Sequence, residues 1–232
     1  ELSFTRRMSQ GLLAEVNYTF GHAIDDVQDQ GIWASDPQNL YNLRAERGNG
    51  SGDVRHNVTF NILYNLPVGT GHRLFRTGIP SRMFSGWKVS SLGIFRTGIA
   101  DTVYIGTNTY GNQNFTNQRP DCVPGVSEYA SAKSVNGWLN PAAFSMPAAG
   151  TYGNCARNTF YGPSFKQIDF SLLKDTNLGE SRDLEFRAEF FNIFNHPNFD
   201  QPDSYYGTPG FGQIFNTLGR TIGGGTSRQI QM

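Results

Sequence analysis

The chain has 232 residues, with 19 lysines and arginines balanced by 19 aspartates and glutamates and a hydrophobic fraction of 38%. Neutral net charge, with no basic stretch interleaved with aromatics, excludes a nucleic-acid surface, and no apolar run approaches the ~20 residues of a membrane-spanning helix. The 27 glycines, 13% aromatics and scarcity of helix-forming runs describe an all-β chain with long loops.

The chain opens at Glu1 without an initiating methionine or a charged-then-apolar leader, which marks it as part of something longer. A first strand is predicted over 2–8. A second, over 12–23, alternates Leu12, Ala14, Val16, Tyr18 and Phe20 with Glu15, Asn17 and Thr19. In the third, 57–66, Val58, Phe60, Ile62, Tyr64 and Leu66 share a face opposite Thr59, Asn61 and Asn65, with Leu63 the apolar exception. A fourth strand is predicted over 86–105. The fifth, 165–174, sets Ile168, Phe170 and Leu172 against Gln167, Asp169 and Ser171. The sixth, 184–194, sets Leu184, Phe186, Ala188 and Phe190 against Glu185, Arg187 and Glu189, and breaks at Asn195-His196-Pro197, where proline cannot continue a ladder. A seventh is predicted over 227–232, and FGQI at 211–214 offers a short eighth. The period is two throughout, and no comparable window keeps the 3.6 of a helix.

The connections are Ser9 to Gly11, 24–56, 67–85, 106–164, Asp175 to Asp183, and 195–226, so shorter and longer segments alternate strictly. An outer-membrane barrel has this pattern, with short periplasmic turns and long extracellular loops. A soluble β-sandwich is the competing architecture and would bury the apolar face inward. In a barrel large enough to enclose water, Phe60, Ile62, Tyr64, Phe186 and Phe190 face lipid, and Glu185, Arg187 and Glu189 face the lumen. Trp87 falls at the periplasmic rim, and Tyr18, Phe20 and Phe194 at the outer rim, as interfacial girdles require.

Little in the sequence carries chemistry. His22 with Asp25 and Asp26 lacks a nucleophile at a telling spacing and reads as a solvated loop. DDVQDQG at 25–31 lacks the spaced ligands and closing glutamate of a calcium loop, and GGG at 223–225 follows no strand-to-helix turn that would cradle phosphate. No catalytic residue, metal site or cofactor is expected, and the chain does not read as an enzyme. The two cysteines, Cys122 and Cys155, fall in the longest predicted outer loop. Such loops form in an oxidising compartment, so an intramolecular disulfide is expected, the other reading being two buried thiols.

YTFGHAIDD at 18–26, RPDCVPGV at 119–126, WLNPAAFSMPAAGTYGNCARNTFYGPSF at 138–165, FRAEFFNIFNHPNF at 186–199 and SRQIQ at 227–231, in this order, resemble the C-terminal barrel of Oar-like TonB-dependent outer-membrane receptors of the acidobacterial type. The resemblance implies an antiparallel transmembrane β-barrel of about 22 strands, of which residues 1–232 would supply the seven or eight C-terminal strands with their extracellular loops. The N-terminal plug, any carboxypeptidase-regulatory-like domain before it and the terminal aromatic residue lie outside this sequence. It also implies the bacterial outer membrane as location, membrane lipid and, through the plug region, TonB as partners, and an unidentified solute as cargo. Within the chain, the loop aromatics Trp33, Tyr41, Tyr110, Trp138 and Tyr152 are the candidates to grip that solute. Two functions remain open: uptake driven by TonB, or an adhesive or structural barrel whose loops bind a surface polymer.

Overall fold

In a computed structural model, residues 1–26, 37–70, 72, 74–75, 77–111, 118–179, 182–219 and 227–232 are described. Seven strands, β1 (Leu2–Ser9), β2 (Leu12–Phe20), β3 (His56–Asn65), β4 (Trp87–Arg96), β5 (Phe165–Asn177), β6 (Asp183–Phe191) and β7 (Gln229–Gln231), form one sheet. Each pairs antiparallel with its neighbours in sequence, giving the order β1-β2-β3-β4-β5-β6-β7 with β1 and β7 at the edges. Among the described residues no helix is long and apolar enough to cross a membrane.

The connections alternate at the two ends of this sheet, as the sequence spacing predicts. At one end lie Gln10-Gly11, segment 66–86 and segment 178–182; at the other lie 21–55, 97–164 and 192–228. Gln10 and Gly11 both have positive φ, 51° and 81°, the backbone of a two-residue type I′ hairpin whose twist matches the strands it joins. Segment 66–86 contains a short helix, α1 (Gly78–Phe84), of which the strand periodicity gives no sign.

Several strand ends differ from the sequence pattern, each for a local reason. β4 stops at Arg96 rather than running to 105, and beyond it Gly98 packs against the backbone of Gly162 and Pro163, where a side chain would not fit. Ala100–Asp101 then pairs with Phe160–Tyr161, and Tyr104–Ile105 pairs in parallel with Tyr205–Tyr206, so these residues belong to the loops. β6 ends at Phe191, before the predicted 194, since Asn192 takes a φ of 48° and its amide brackets the turn, accepting from His196 N at 3.0 Å and donating to His196 O at 2.8 Å. Residues 211–214 are not a strand: Phe211 points into the loop core, and Ile214 N donates to Val135 O at 2.7 Å.

The hydrophobic core does not lie on the sheet. Among the described residues of the seven strands only Gly93, Gln167 and Ala188 are buried. The core is Val103, Leu139, Ala143, Phe144, Cys155, Phe160 and Phe211, contributed by the second and third long connections. Two-residue ladders knit these connections into a layer over one end of the sheet, for example Asp121–Cys122 with Phe144–Ser145.

Candidate functional site: a polar wall beneath an outer layer

Residues directly opposite in adjacent strands point to the same face, so the register sorts the sheet into rows. One row runs Phe4, Val16, Phe60, Gly93, Ile168; the next runs Arg6, Ala14, Ile62, Ser91, Phe170, Phe190, Ile230; a third runs Leu12, Tyr64, Val89, Leu172, Ala188. Thus Phe60, Ile62, Tyr64, Phe186 and Phe190 share one apolar face. The Phe60 ring lies over Gly93, the cross-strand neighbour with no side chain of its own, and stacks on Phe95 at 6.3 Å. On β5 this face reads Lys166, Ile168, Phe170, Leu172, Lys174, an apolar stretch closed at each end by a lysine. At the loop end of the face, Tyr18 Oη is 2.9 Å from His56 Nδ1 and the Phe20 ring is 5.2 Å from the His56 ring.

The intervening rows form the opposite face, a polar wall. Glu15, Asn17, Thr59, Asn61, Gln167 and Asp169 lie together on it, and Glu185, Arg187 and Glu189 line its edge on β6. Leu13, Leu63, Leu92, Ile94 and Leu173 interrupt the wall. Its polar groups are fixed by one another. Gln167 donates to both oxygens of Asp169 at 2.9 and 3.1 Å, Asn192 N donates to Asp169 Oδ1 at 2.8 Å, and Asn17 donates to Glu15 at 3.0 Å. Arg187 pairs with Glu185 at 2.9 Å and Glu189 at 3.7 Å, and Lys88 with Asp175 at 2.5 Å.

Where the wall meets the loop layer there is an open cleft of about 440 Å³ lined by Thr19, His22, Asp53, Asn57 and Arg96. Asp53 is buried and fully engaged: it accepts from Tyr161 Oη at 2.6 Å and Ala23 N at 2.8 Å and pairs with Arg55 at 2.9 Å. Burial pushes the Asp53 carboxyl up, but those hydrogen bonds and the Arg55 charge outweigh it and hold the group below the ordinary carboxylate range. His22 Nε2 lies 3.0 Å from Asn49 Oδ1, and the Arg96 guanidinium lies 5.0 Å over the Phe165 ring. This arrangement can hydrogen-bond a polar solute. It holds no nucleophile with an adjacent base, and among the described residues no three His, Cys, Asp or Glu side chains gather as metal ligands would.

The layer above the cleft is held by residues that sequence periodicity could not find. Arg119 and Glu46, both 1% exposed, form a bidentate pair at 2.6 and 3.0 Å, and Arg119 Nε donates to Cys155 O at 2.9 Å. Arg157 pairs with Asp25 and donates to Glu46 O at 2.9 Å, tying the first long connection to the second. Asp25 is therefore a structural partner rather than a neighbour of His22 chemistry. Cys122 and Cys155 are joined by a disulfide with Cα atoms 5.0 Å apart.

Among the described residues the loop aromatics do not gather at one site. Tyr41 is 98% exposed, Tyr110 and Tyr152 stack on each other at 4.1 Å, and Trp138 packs against the loop core while donating to Tyr161 O at 3.0 Å. Trp33, residues 27–31 of the acidic run and the 223–225 glycines lie outside the described residues.

Residues 1–231 match the family model described as outer membrane beta barrel domain. No curated protein and no solved structure matches the chain.

Proposed function

The chain belongs to the outer membrane beta barrel domain family and is a protein of the bacterial outer membrane, and from that premise we propose that it forms the C-terminal part of a TonB-dependent receptor barrel of the Oar-like type, taking up a polar solute. One observation carries this reading: a seven-stranded meander with a face that is apolar across its strands except at Arg6 and Ser91, and a polar wall behind it. The apolar face meets lipid. Lys166 and Lys174 are roughly 27 Å apart along an extended strand at ~3.4 Å per residue, or about 20 Å along the membrane normal at a tilt near 40°. Lysines that snorkel outward at both ends make this the height of a hydrocarbon band.

The polar wall then lines the lumen. A barrel of about eight strands fills its interior with packed side chains, whereas the charges of Glu15, Lys88, Asp169, Asp175, Glu185, Arg187 and Glu189 call for water. Such a wall supports a wide barrel, of the kind that a plug must close. Solute entering past the outer layer meets the cleft at His22, Asp53 and Arg96 before the wall. A plugged lumen needs work to open, and the outer membrane holds no ion gradient of its own, so energy comes from the inner membrane through TonB.

A second reading, a barrel whose loops bind a surface polymer, is favoured by exposed Tyr41 and the stacked Tyr110–Tyr152 pair on the outer layer. Both readings are tested by feeding cells that carry the complete protein, with and without TonB, a radiolabelled set of sugars, peptides and chelates. Uptake of one solute that stops without TonB is the expected result. Uptake indifferent to TonB overturns the first reading, and cell-surface polymer binding with no uptake at all establishes the second.

A further inference from the structure

The described residues of segment 66–86, at the short-connection end of the sheet, are arranged inside out. Helix α1 turns its serine inward and its apolar residues outward: Ser81 is 4% exposed, while Ile79 is 76% and Met83 59% exposed. Ser81 Oγ is 2.8 Å from Thr70 Oγ1 and Ser81 O accepts from Ser85 Oγ at 2.6 Å, so the polar side is satisfied within the segment. Outside, Leu74, Phe75 and Phe84 join Ile79 and Met83 as exposed apolar side chains, and the Phe75 and Phe84 rings stack at 4.6 Å. In water this arrangement exposes apolar surface that burial would stabilise.

The position of the helix says what covers it. Its Met83 carbonyl accepts from Trp87 Nε1 at 3.0 Å and Lys174 Nζ at 2.6 Å. Trp87 and Lys174 are cross-strand partners, in phase with Val89 and Leu172, and so lie on the apolar face at its lower edge. Trp87 meets Phe186 of that face edge-on at 6.5 Å, and Lys174 lies 5.4 Å from the Trp87 ring. The lumenal face at the same level carries the Lys88–Asp175 ion pair instead. The exposed cluster is therefore continuous with the lipid-facing belt, and it sits where an aromatic and a lysine mark the interface.

We propose that α1, with Leu74 and Phe75 before it, is a membrane foot: it rests on the barrel's lipid side, with Leu74, Phe75, Ile79, Met83 and Phe84 seated among the headgroups and upper acyl chains of the periplasmic leaflet. Its occupant is phospholipid, the medium in which a helix with one apolar side lies in the interface plane. The inference rests on the lipid-facing assignment made above and on placing the short connections in the periplasm.

The test is site-directed spin labelling of the complete protein in vesicles of phosphatidylethanolamine and phosphatidylglycerol, with Ile79→Cys, Met83→Cys, Ile62→Cys and Thr208→Cys made one at a time; Cys122 and Cys155 are engaged with each other. Labels at 79 and 83 are expected to favour oxygen over a water-soluble nickel complex, at a depth between the label at 62, in the hydrocarbon, and the label at 208, in water. Nickel access at 79 and 83 equal to that at 208 overturns the foot, and shielding from both reagents overturns it in favour of a covering protein segment. If the label at 62 is itself open to nickel, the lipid-facing assignment fails rather than the foot alone.

Discussion

Arg119 and Glu46 are withdrawn from water and hold each other through two hydrogen bonds, and Arg119 also satisfies Cys155 O. A charge left alone there has no water to turn to, so removing one partner of such a pair costs about 3–5 kcal/mol. Glu46→Ala should raise the opening constant of the outer layer by roughly two to four powers of ten, read as hydrogen exchange of the amides at 38, 119 and 155. Adding Arg119→Met should recover much of the loss, because an apolar pair of similar volume leaves no buried charge; a double variant as unstable as the single one would show that the hydrogen bonds Arg119 donates to Cys155 O at 2.9 Å and Ala45 O at 3.4 Å matter more. Asp53 adds a pH dependence of known sign. Its folded-state pKa lies below the unfolded value of ~3.9, so its contribution is present above that value and is lost as pH falls through the folded pKa. Glu128 acts oppositely: burial lifts its pKa, so its contribution is present in acid and lost as pH rises through the raised value. Accordingly, Asp53→Asn should flatten the acid limb of outer-layer stability, and Glu128→Gln should remove a loss on the way to neutrality. Opening constants measured from pH 3 to 7 and corrected for intrinsic exchange check both, and identical slopes in the two variants would contradict the assignment.

At the scale of elements, β3 offers the sharpest contrast, since Phe60 and Thr59 are adjacent in sequence and point to opposite faces. With Phe60 facing hydrocarbon near mid-strand, Phe60→Arg should cost about 2–4 kcal/mol, while Thr59→Arg, on the wet side, should cost much less. Equal penalties in reversible unfolding from lipid vesicles would count against the facing. This contrast is legible in the amino-acid order alone, because a period-two pattern is set by the pleat itself, and 58 to 64 and 184 to 190 keep it with few exceptions. The outer layer is not legible in that way. Apart from the hairpin of Tyr129–Ser134 with Gly137–Leu139, its ladders are two residues long, too short for any period, and its cohesion comes from Arg119 meeting Glu46 and Arg157 meeting Asp25 across long stretches of chain. Nor is α1, whose seven residues include Gly78 and Pro80 and complete barely two turns. The cysteines are the one signal in the loops that sequence can use, because their chemistry needs no periodicity.

For the molecule as a whole, the edges decide what else the barrel requires. β1 and β7 each present one side without a partner in the sheet, and in hydrocarbon every unsatisfied backbone group costs several kcal/mol. β1 makes the matter acute, since all eight of its residues are exposed. On the proposed reading, in which this chain is the C-terminal part of a larger barrel, other strands pair with both edges before the sheet resides in the membrane. Closing the seven strands on themselves would force Glu15, Asp169, Glu185, Arg187 and Glu189 into a lumen only wide enough for side chains, and the water those charges need would be excluded. The expectation is that residues 1–232, refolded alone into vesicles, give neither a defined single-channel conductance nor a compact, heat-modifiable band in unheated gels, whereas the complete protein gives the band. Supplying the remaining barrel strands as a separate polypeptide should restore it, since strand pairing is set by register rather than by chain continuity. A uniform, protease-resistant monomer formed by residues 1–232 in lipid would mean that the sheet closes upon itself, and the wide, plugged lumen on which the transport reading depends would have to be abandoned.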